Sequence, residues 1–213
     1  MSRANRGTRQ ILLFGEDPND METVKELVRG LRPDLNVKFT SLRTPITLVR
    51  GVRPETAKSV DRRLLAAIRA ANVSAPVHAT LLHEDADAVE PAHEALIERK
   101  EAQLDAAPGV VLAVVPAWEM ESWWFQFPES VAKYRPTWGR LDKYAGRHVG
   151  KIVNAKEELK RALRSGARQG RAVEYSESDC PGIARVVVSL REYDSPKARS
   201  DSWSTFVRKI MAL

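Results

Sequence analysis

Short apolar runs alternate along the chain with segments in which apolar residues recur every three or four positions. Continuous apolar runs are typical of strands buried in a parallel sheet, and the wider spacing is typical of amphipathic helices. The predicted strands are 11–14, 37–41, 77–82 and 110–115, and the predicted helices among them are 21–31, 60–71 and 90–106. This alternation favours an α/β fold with a mostly parallel central sheet flanked by helices.

The pattern changes after residue 125, where Pro and Gly interrupt shorter segments. Further helices are predicted at 155–164, 179–190 and 202–213, and loops at 42–54 and 166–170. Residues 1–125 hold 16 Lys and Arg against 18 Asp and Glu, whereas residues 126–213 hold 18 against 10. We therefore expect an α/β core over 1–125 with an acidic site, and a basic, mostly helical extension over 126–213 packed on it.

Composition narrows the class of protein. With 213 residues and 43% hydrophobic content, the chain can bury a core of good size. No apolar run approaches the roughly 20 residues of a membrane span, and the first run is shorter than the roughly 7–15 residues of a signal peptide. We expect a cytoplasmic protein with no membrane partner. The single Cys180 allows no internal disulfide and no cysteine zinc site.

Acidic residues follow three of the four predicted strands, at the points where those strands end. They are Glu16, Asp17 and Asp20 after the first, Asp85 and Asp87 after the third, and Glu119 and Glu121 after the fourth. The carboxyl ends of parallel strands form one edge of a sheet, where ligands bind in open α/β folds. Because Mg²⁺ and Mn²⁺ prefer carboxylate oxygens, these acids predict a divalent-cation site.

Each of these side chains also has an ordinary structural explanation. Asp17 and Asp20 are explained equally well as caps of the first helix with no other role. His83 is more often a packed histidine than a ligand. Glu84 and Glu119 either support the ligands or lie at the surface. Tryptophans in apolar surroundings are more often core residues than platforms for stacked bases, and the three in question are Trp118, Trp123 and Trp124.

The stretch 11–20, Ile-Leu-Leu-Phe-Gly-Glu-Asp-Pro-Asn-Asp, resembles the start of a response-regulator receiver domain. Receiver domains place a Lys-Pro pair after their fifth strand, but residues 115–118 (VPAW) contain no lysine and are followed by two acids. The chain is also much longer than a receiver domain. This resemblance therefore does not extend to the residues that define receiver chemistry.

A second resemblance covers more of the chain. A glutamate at a strand end, followed by a helix and later by Asp-x-Asp after another strand, resembles the Toprim domain of topoisomerases, bacterial primases and OLD-family nucleases. Glu16 matches the glutamate, and Asp85 and Asp87 match the Asp-x-Asp. Asp20 matches an acid often found four residues after the glutamate. One difference is Asp17, which stands where Toprim sequences usually have glycine.

Two further segments resemble an uncharacterised group of Toprim-like proteins often encoded beside defence or restriction genes. Residues 121–123 (Glu-Ser-Trp) resemble its Glu-Ala-Trp-type motif, and 202–206 (SWSTF) resemble its C-terminal Ser-Phe segment. The resemblance covers residues 10–125 well and the remainder loosely. It implies a Toprim-like, Rossmann-like fold and a partner protein from a defence or restriction system.

The resemblance implies metal-dependent hydrolysis of phosphodiester bonds in DNA or RNA. Glu16, Asp85 and Asp87 would hold Mg²⁺ or Mn²⁺, with Asp20 as an additional metal-binding acid and Glu121 as a further ligand or general base. Basic residues chosen by charge and position as phosphate contacts are Lys143, Arg147, Lys151, Lys156 and Arg164. The alternatives are a non-catalytic nucleic-acid-binding or regulatory protein that keeps the fold, and a small-molecule phosphotransfer enzyme.

Overall fold

A parallel sheet lies at the centre of the protein. The computed structural model describes residues 8–42, 54–164 and 174–213. Within them the strands are β1 (Gln10–Phe14), β2 (Lys38–Ser41), β3 (Val77–His83) and β4 (Val110–Val114). They form a single four-stranded sheet in the order β2-β1-β3-β4, and every neighbouring pair is parallel. The predicted four-stranded parallel sheet is therefore confirmed.

Helices connect the strands and follow the last of them. The α-helices of the described residues are α1 (Pro18–Leu31), α2 (Pro54–Ser74), α3 (Ala92–Gln103), α4 (Pro128–Tyr134), α5 (Ala155–Arg164), α6 (Cys180–Leu190) and α7 (Asp201–Met211). Short 3₁₀ helices cover Met120–Gln126, Asp142–Tyr144, Val149–Lys151, Glu177–Asp179 and Glu192–Asp194. The predicted loop at 166–170 and most of the one at 42–54 lie outside the described residues.

Several helix boundaries differ from the predicted ones. Helix α1 begins at Pro18 because proline suits the first helical turn and Asp17 caps it, accepting a hydrogen bond from the Asn19 N–H at 2.6 Å. Asp20 lies in the first turn, so the expectation that it caps the helix is wrong. Helix α2 is longer than the predicted 60–71, and α3 is shorter than the predicted 90–106.

Both faces of the sheet are covered. Ile11 and Leu13 point to one face and pack with α1, α6 and α7, whereas Leu12 and Phe14 point to the other and pack with α2. Helix α3 covers β4 through Leu96 and Ile97. Burial on both faces explains why β1 and β4 are continuous apolar runs, whereas β2, at the edge of the sheet, is polar and only partly buried.

The second half of the chain belongs to the larger of these cores. Trp123 and Trp203 pack edge to face with ring centroids 5.1 Å apart, and Phe206 lies 5.0 Å from Trp123. Helices α6 and α7 place Ile183 and Ile210 in the same buried cluster as the inner residues of β1. Trp123 and Trp124 are therefore core residues, as their ordinary structural explanation predicts, whereas Trp118 is only partly buried.

Glu90, which lies just before α3, is a buried carboxylate that binds the start of α7. It accepts hydrogen bonds from the N–H groups of Asp201 (2.9 Å) and Ser202 (2.7 Å). The Ser200 hydroxyl (2.7 Å) and His148 Nε2 (2.5 Å) also contact it. Burial alone would raise the pKa of Glu90, but these bonds lower it to about 2.

We predict that Glu90→Gln lowers the free energy of unfolding by at least about 2 kcal/mol, because the amide NH₂ would face donors that lose their acceptor. Denaturant unfolding at pH 7 measures this change. Glu94→Gln is the control, because Glu94 is an exposed acid in the first turn of α3, the helix that follows Glu90. Because the folded pKa lies below the ordinary 4.5, the difference between wild type and Glu90→Gln should shrink as pH falls from about 4.5 to 2. Equal stability of wild type and Glu90→Gln at pH 7 would contradict this role of Glu90.

Candidate metal centre

The three strands that end in acidic residues are neighbours in the sheet. The order β1-β3-β4 brings the segments after Phe14, His83 and Val114 to a common edge. The turn after β1 lies close to β3, since a Cβ added at Gly15 would lie 3.4 Å from the His83 Cβ and 3.1 Å from Met21 Cγ. Gly15 therefore lets the segment carrying Glu16 approach the end of β3.

The segment after β3 stays paired with the segment after β4 beyond the strands themselves. Backbone N–H groups donate from Glu84 to Val114 (3.2 Å), from Ala86 to Pro116 (3.1 Å) and from Asp87 to Trp118 (2.8 Å). Asp85 is held within this paired segment, and its side chain is about one quarter exposed, at 27%. Asp87 has a positive φ of 39° and is exposed, so the two aspartates of the Asp-x-Asp pair differ in environment.

Three carboxyl groups are largely buried together at this edge. Burial, followed by the charge of Asp17, raises the pKa of Asp20 to about 7. Burial also raises the pKa of Glu121 to about 7, with Glu119 adding to the effect. The pKa of Asp85 is raised well above its ordinary value by burial and then by the charges of Asp20 and Glu121. The three groups therefore share one desolvated, like-charged environment.

His83, at the end of β3, lies between two of these acids. Its Nδ1 is 3.5 Å from Asp20 Oδ2, and its Nε2 is 3.5 Å from Asp85 Oδ1. Burial lowers the pKa of His83 to about 4, against an opposing effect of the Asp17 charge. The ring is therefore neutral near pH 7 and separates the carboxyl groups without neutralising them. The sequence favoured a packed histidine over a ligand, and it carried no signal for the contact with Asp20.

Lys156, in the first turn of α5, brings a positive charge to the rim of the acidic cluster. Its ammonium group pairs with Glu177, and its charge lowers the pKa values of Asp20 and Glu121 against the effect of burial. The backbone N–H of Lys156 also hydrogen-bonds Glu119, whose pKa is raised mainly by burial. Of the five predicted phosphate contacts, Lys156 is therefore the one whose surroundings include the acidic cluster.

The other predicted phosphate contacts have partners of their own or lie exposed. Lys151 Nζ donates to the Glu90 carbonyl at 2.5 Å. Arg164 pairs with Glu174 at 2.7 Å. Lys143 lies 4.0 Å from Glu158, and Arg147 is exposed. Their predicted contact with phosphate stays a prediction.

The donor set of the acidic cluster fits a hard divalent cation. Asp20, Asp85 and Glu121 offer only oxygen, and exposed Glu16 contributes to the field that raises the pKa of Asp85. Asp85 Oδ1 is buried and accepts no hydrogen bond within the part of the chain that the structure describes. Three of these oxygens do not converge within 4.8 Å in the described residues. Cation binding would therefore have to draw mutually repelling carboxylates together.

A second group of possible ligands is better explained as a structural junction. Across residues 8–42, 54–164 and 174–213, only Glu90, His148 and Asp201 bring three candidate ligand atoms within 4.8 Å of one another. The Glu90 oxygens already accept four hydrogen bonds. His148 Nδ1 lies 2.8 Å from the guanidinium of Arg199, which can only donate. The lone pairs that a cation would need are therefore largely occupied.

Comparisons with known proteins give no relative from which to transfer a function. No family model, curated protein or solved structure matches the chain. Among the helices that the structure describes, none has the length and apolar character needed to cross a membrane. The proposed function therefore rests on the site itself.

We predict that Glu121→Gln is more stable than wild type at pH 8 and about equally stable at pH 5, with a chelator present. The folded pKa of Glu121, about 7, lies above the ordinary 4.5, so its stabilising contribution is present at low pH. That contribution is lost as pH rises from about 4.5 through 7, because over this range the folded protein holds the Glu121 proton more tightly than the unfolded chain does. Thermal melts at both pH values measure the difference. Glu98→Gln, at an exposed acid of α3, should show no such pH dependence.

Proposed function

We propose that this protein is a Mg²⁺- or Mn²⁺-dependent nuclease of the Toprim type that hydrolyses phosphodiester bonds in DNA or RNA. One observation carries the proposal: three neighbouring strand ends bury Asp20, Asp85 and Glu121 at one edge of a parallel sheet. Like charges in a desolvated site are costly unless a cation or a proton neutralises them. The resemblance of Glu16, Asp85 and Asp87 to the Toprim motif supports the same assignment.

Each acid has a role in this proposal. Glu16, Asp85 and Asp87 would hold the cation, Asp20 would complete its surroundings, and Glu121 would bind it or act as general base. A bound divalent cation supplies an activated water and stabilises charge on the phosphoryl oxygens. The pKa of Glu121, about 7, suits a group that accepts or returns a proton near neutral pH.

Lys156 and the net charge of the second half support a polyanionic substrate. The Lys156 ammonium lies at the rim of the acidic cluster, where it can bind a substrate phosphate after exchanging its partner Glu177. Residues 126–213 carry a net charge of +8, which favours long-range attraction of nucleic acid. A role beside defence or restriction proteins, in the cytoplasm, rests on the resemblances at 121–123 and 202–206 and on composition.

A small-molecule phosphotransfer enzyme is the second candidate, and one observation favours it. Two of the predicted phosphate contacts have partners in the same chain: Lys151 donates to the Glu90 carbonyl, and Arg164 pairs with Glu174. Paired cations bind a long phosphate backbone less well than free ones. A non-catalytic nucleic-acid-binding or regulatory protein would bind polynucleotide with strong salt dependence but would not cleave it.

We predict that Asp85→Asn abolishes Mn²⁺-dependent cleavage of single-stranded or double-stranded polynucleotide and leaves the fold intact. Asparagine keeps the shape of the side chain and removes one charge from a repelling cluster, so the metal-free variant should be as stable as wild type or slightly more stable. Mn²⁺ should raise the melting temperature of wild type and much less that of the variant.

Asp105→Asn is the matched control for this experiment, because Asp105 is an exposed acid between α3 and β4, away from the strand ends that carry the site. It should cleave as wild type does. An equal Mn²⁺-induced rise of the melting temperature in wild type and Asp85→Asn would exclude Asp85 as a ligand. Cleavage that survives in Asp85→Asn would exclude the proposed mechanism.

We also predict that the folded protein binds polynucleotide with strong salt dependence. Each phosphate neutralised should add about 0.7–0.9 to the slope of log affinity against log salt concentration. Filter binding at several salt concentrations, with a chelator to prevent cleavage, measures that slope. Lys156→Gln should lower the slope by the contribution of about one phosphate contact. Lys25→Gln, at a lysine paired with Glu22 on α1, should leave the slope unchanged. No detectable binding at low salt would favour the small-molecule alternative.

A further inference from the structure

A series of buried hydrogen bonds ends on Glu121. Tyr175 Oη lies 2.9 Å from Glu121 Oε1 and 2.8 Å from Cys180 Sγ. Trp124 Nε1 lies 3.2 Å from the same sulfur. All four side chains are less than 5% exposed, so water does not compete with these contacts. The series joins the segment after β4 to the start of α6.

The donors in this series have one consistent direction. The indole N–H of Trp124 can only donate, so the Cys180 sulfur accepts it. The single S–H of Cys180 is then available for the Tyr175 oxygen, and the single O–H of Tyr175 donates to the Glu121 carboxylate. Glu121 and Trp124 are three residues apart in a 3₁₀ helix, which places them on the same side of it.

We infer that Tyr175 is a positioning residue for Glu121, and that Cys180 in turn orients Tyr175. The hydroxyl occupies one lone pair of Glu121 Oε1, so Tyr175 restricts the orientations in which the carboxylate can bind a cation. The ring of Tyr175 is fixed by packing against Trp138, with centroids 5.8 Å apart, and this gives the hydroxyl a defined place. The effect on metal affinity rests on the proposed function, whereas the orientation of Glu121 does not.

Removing a group that orients a ligand typically weakens metal affinity by about 10–100-fold. Tyr175→Phe deletes one oxygen and keeps the ring, so it should raise the Mn²⁺ dissociation constant by roughly tenfold or more. Isothermal titration calorimetry on the full chain measures the constant. Tyr134→Phe is the matched control, because the Tyr134 hydroxyl donates to buried Asp179 at 2.9 Å rather than to Glu121. This control should bind Mn²⁺ as wild type does.

Conservative replacement at Cys180 separates orientation from packing. Cys180→Ser keeps a donor to Tyr175 and should retain an affinity within about threefold of wild type, whereas Cys180→Ala loses the donor and should weaken binding toward the level of Tyr175→Phe. Cys180 is the only cysteine of the chain, so the infrared S–H stretching band reports on this thiol alone. A bound Mn²⁺ should shift the band in wild type and leave it unchanged in Tyr175→Phe.

The frequency of the S–H band without metal tests the hydrogen bonds from Cys180 through Tyr175 to Glu121, whether or not the protein binds a metal. Tyr175→Phe and Glu121→Gln should each move the band to higher frequency, because the thiol loses its acceptor or faces a less polarised one. A band unchanged in both variants would overturn the inference. Equal Mn²⁺ affinity of wild type and Tyr175→Phe would overturn it while leaving the proposed function standing. Wild-type protein that binds no Mn²⁺ would instead overturn the proposed function.

Discussion

Backbone pairing beyond the ends of β3 and β4 is the constraint on which the site depends. The sheet does not open after Val114, because residues 84–88 continue to exchange hydrogen bonds with residues 114–118. Asp85 is thereby fixed beside the segment that leads to Glu121, although the two residues are 36 positions apart in the sequence. Glu90 lies two residues after this paired segment and accepts hydrogen bonds from N–H groups at the start of α7. The pairing therefore holds Asp85 beside the segment that leads to Glu121, and it ends two residues before Glu90, the acid that attaches the C-terminal helix.

The acidic cluster opposes stability near neutral pH, and the rest of the structure compensates for it. Burial raises the pKa values of Asp20, Asp85 and Glu121, while His83 between two of them stays neutral. Glu90 shows the opposite outcome of burial, because directed hydrogen bonds lower its pKa to about 2. The difference lies in donors: the Glu90 oxygens accept four bonds, whereas Asp85 Oδ1 accepts none from the described residues. Destabilising acids of this kind are common where function needs charge.

The sequence predicted the sheet well because buried parallel strands leave a continuous apolar signal, and the run at 110–115 is an example. It also predicted that acids after three strands would lie at one edge of the sheet, since parallel strands share an edge. The charges of Asp20 and Glu121 do act on Asp85 there, but among the described residues no three oxygens of these acids lie within 4.8 Å of one another. It could not reveal the contact of His83 with Asp20, because Asp20 lies 63 positions earlier in the chain and nothing in the sequence around His83 points to it. The sequence offered Asp20 as a cap of the first helix as well as Asp17, but the helix begins at Pro18, so Asp17 is the cap. Glu90 was missed because a single acid before a helix is commonplace.

The second half of the chain is bound to the first half by more than its charge. The expected boundary after residue 125 falls inside the 3₁₀ helix Met120–Gln126, whose side chains are buried in the larger core. That helix carries Glu121 toward the strand ends and Trp123 toward α7, so one short element serves the site and the packing together. Tyr175 reaches the same carboxylate from beyond α5. A truncation that removed residues 126–213 would therefore expose the aromatic core and release Glu121 at once, and loss of activity in such a fragment would say nothing about nucleic-acid contacts.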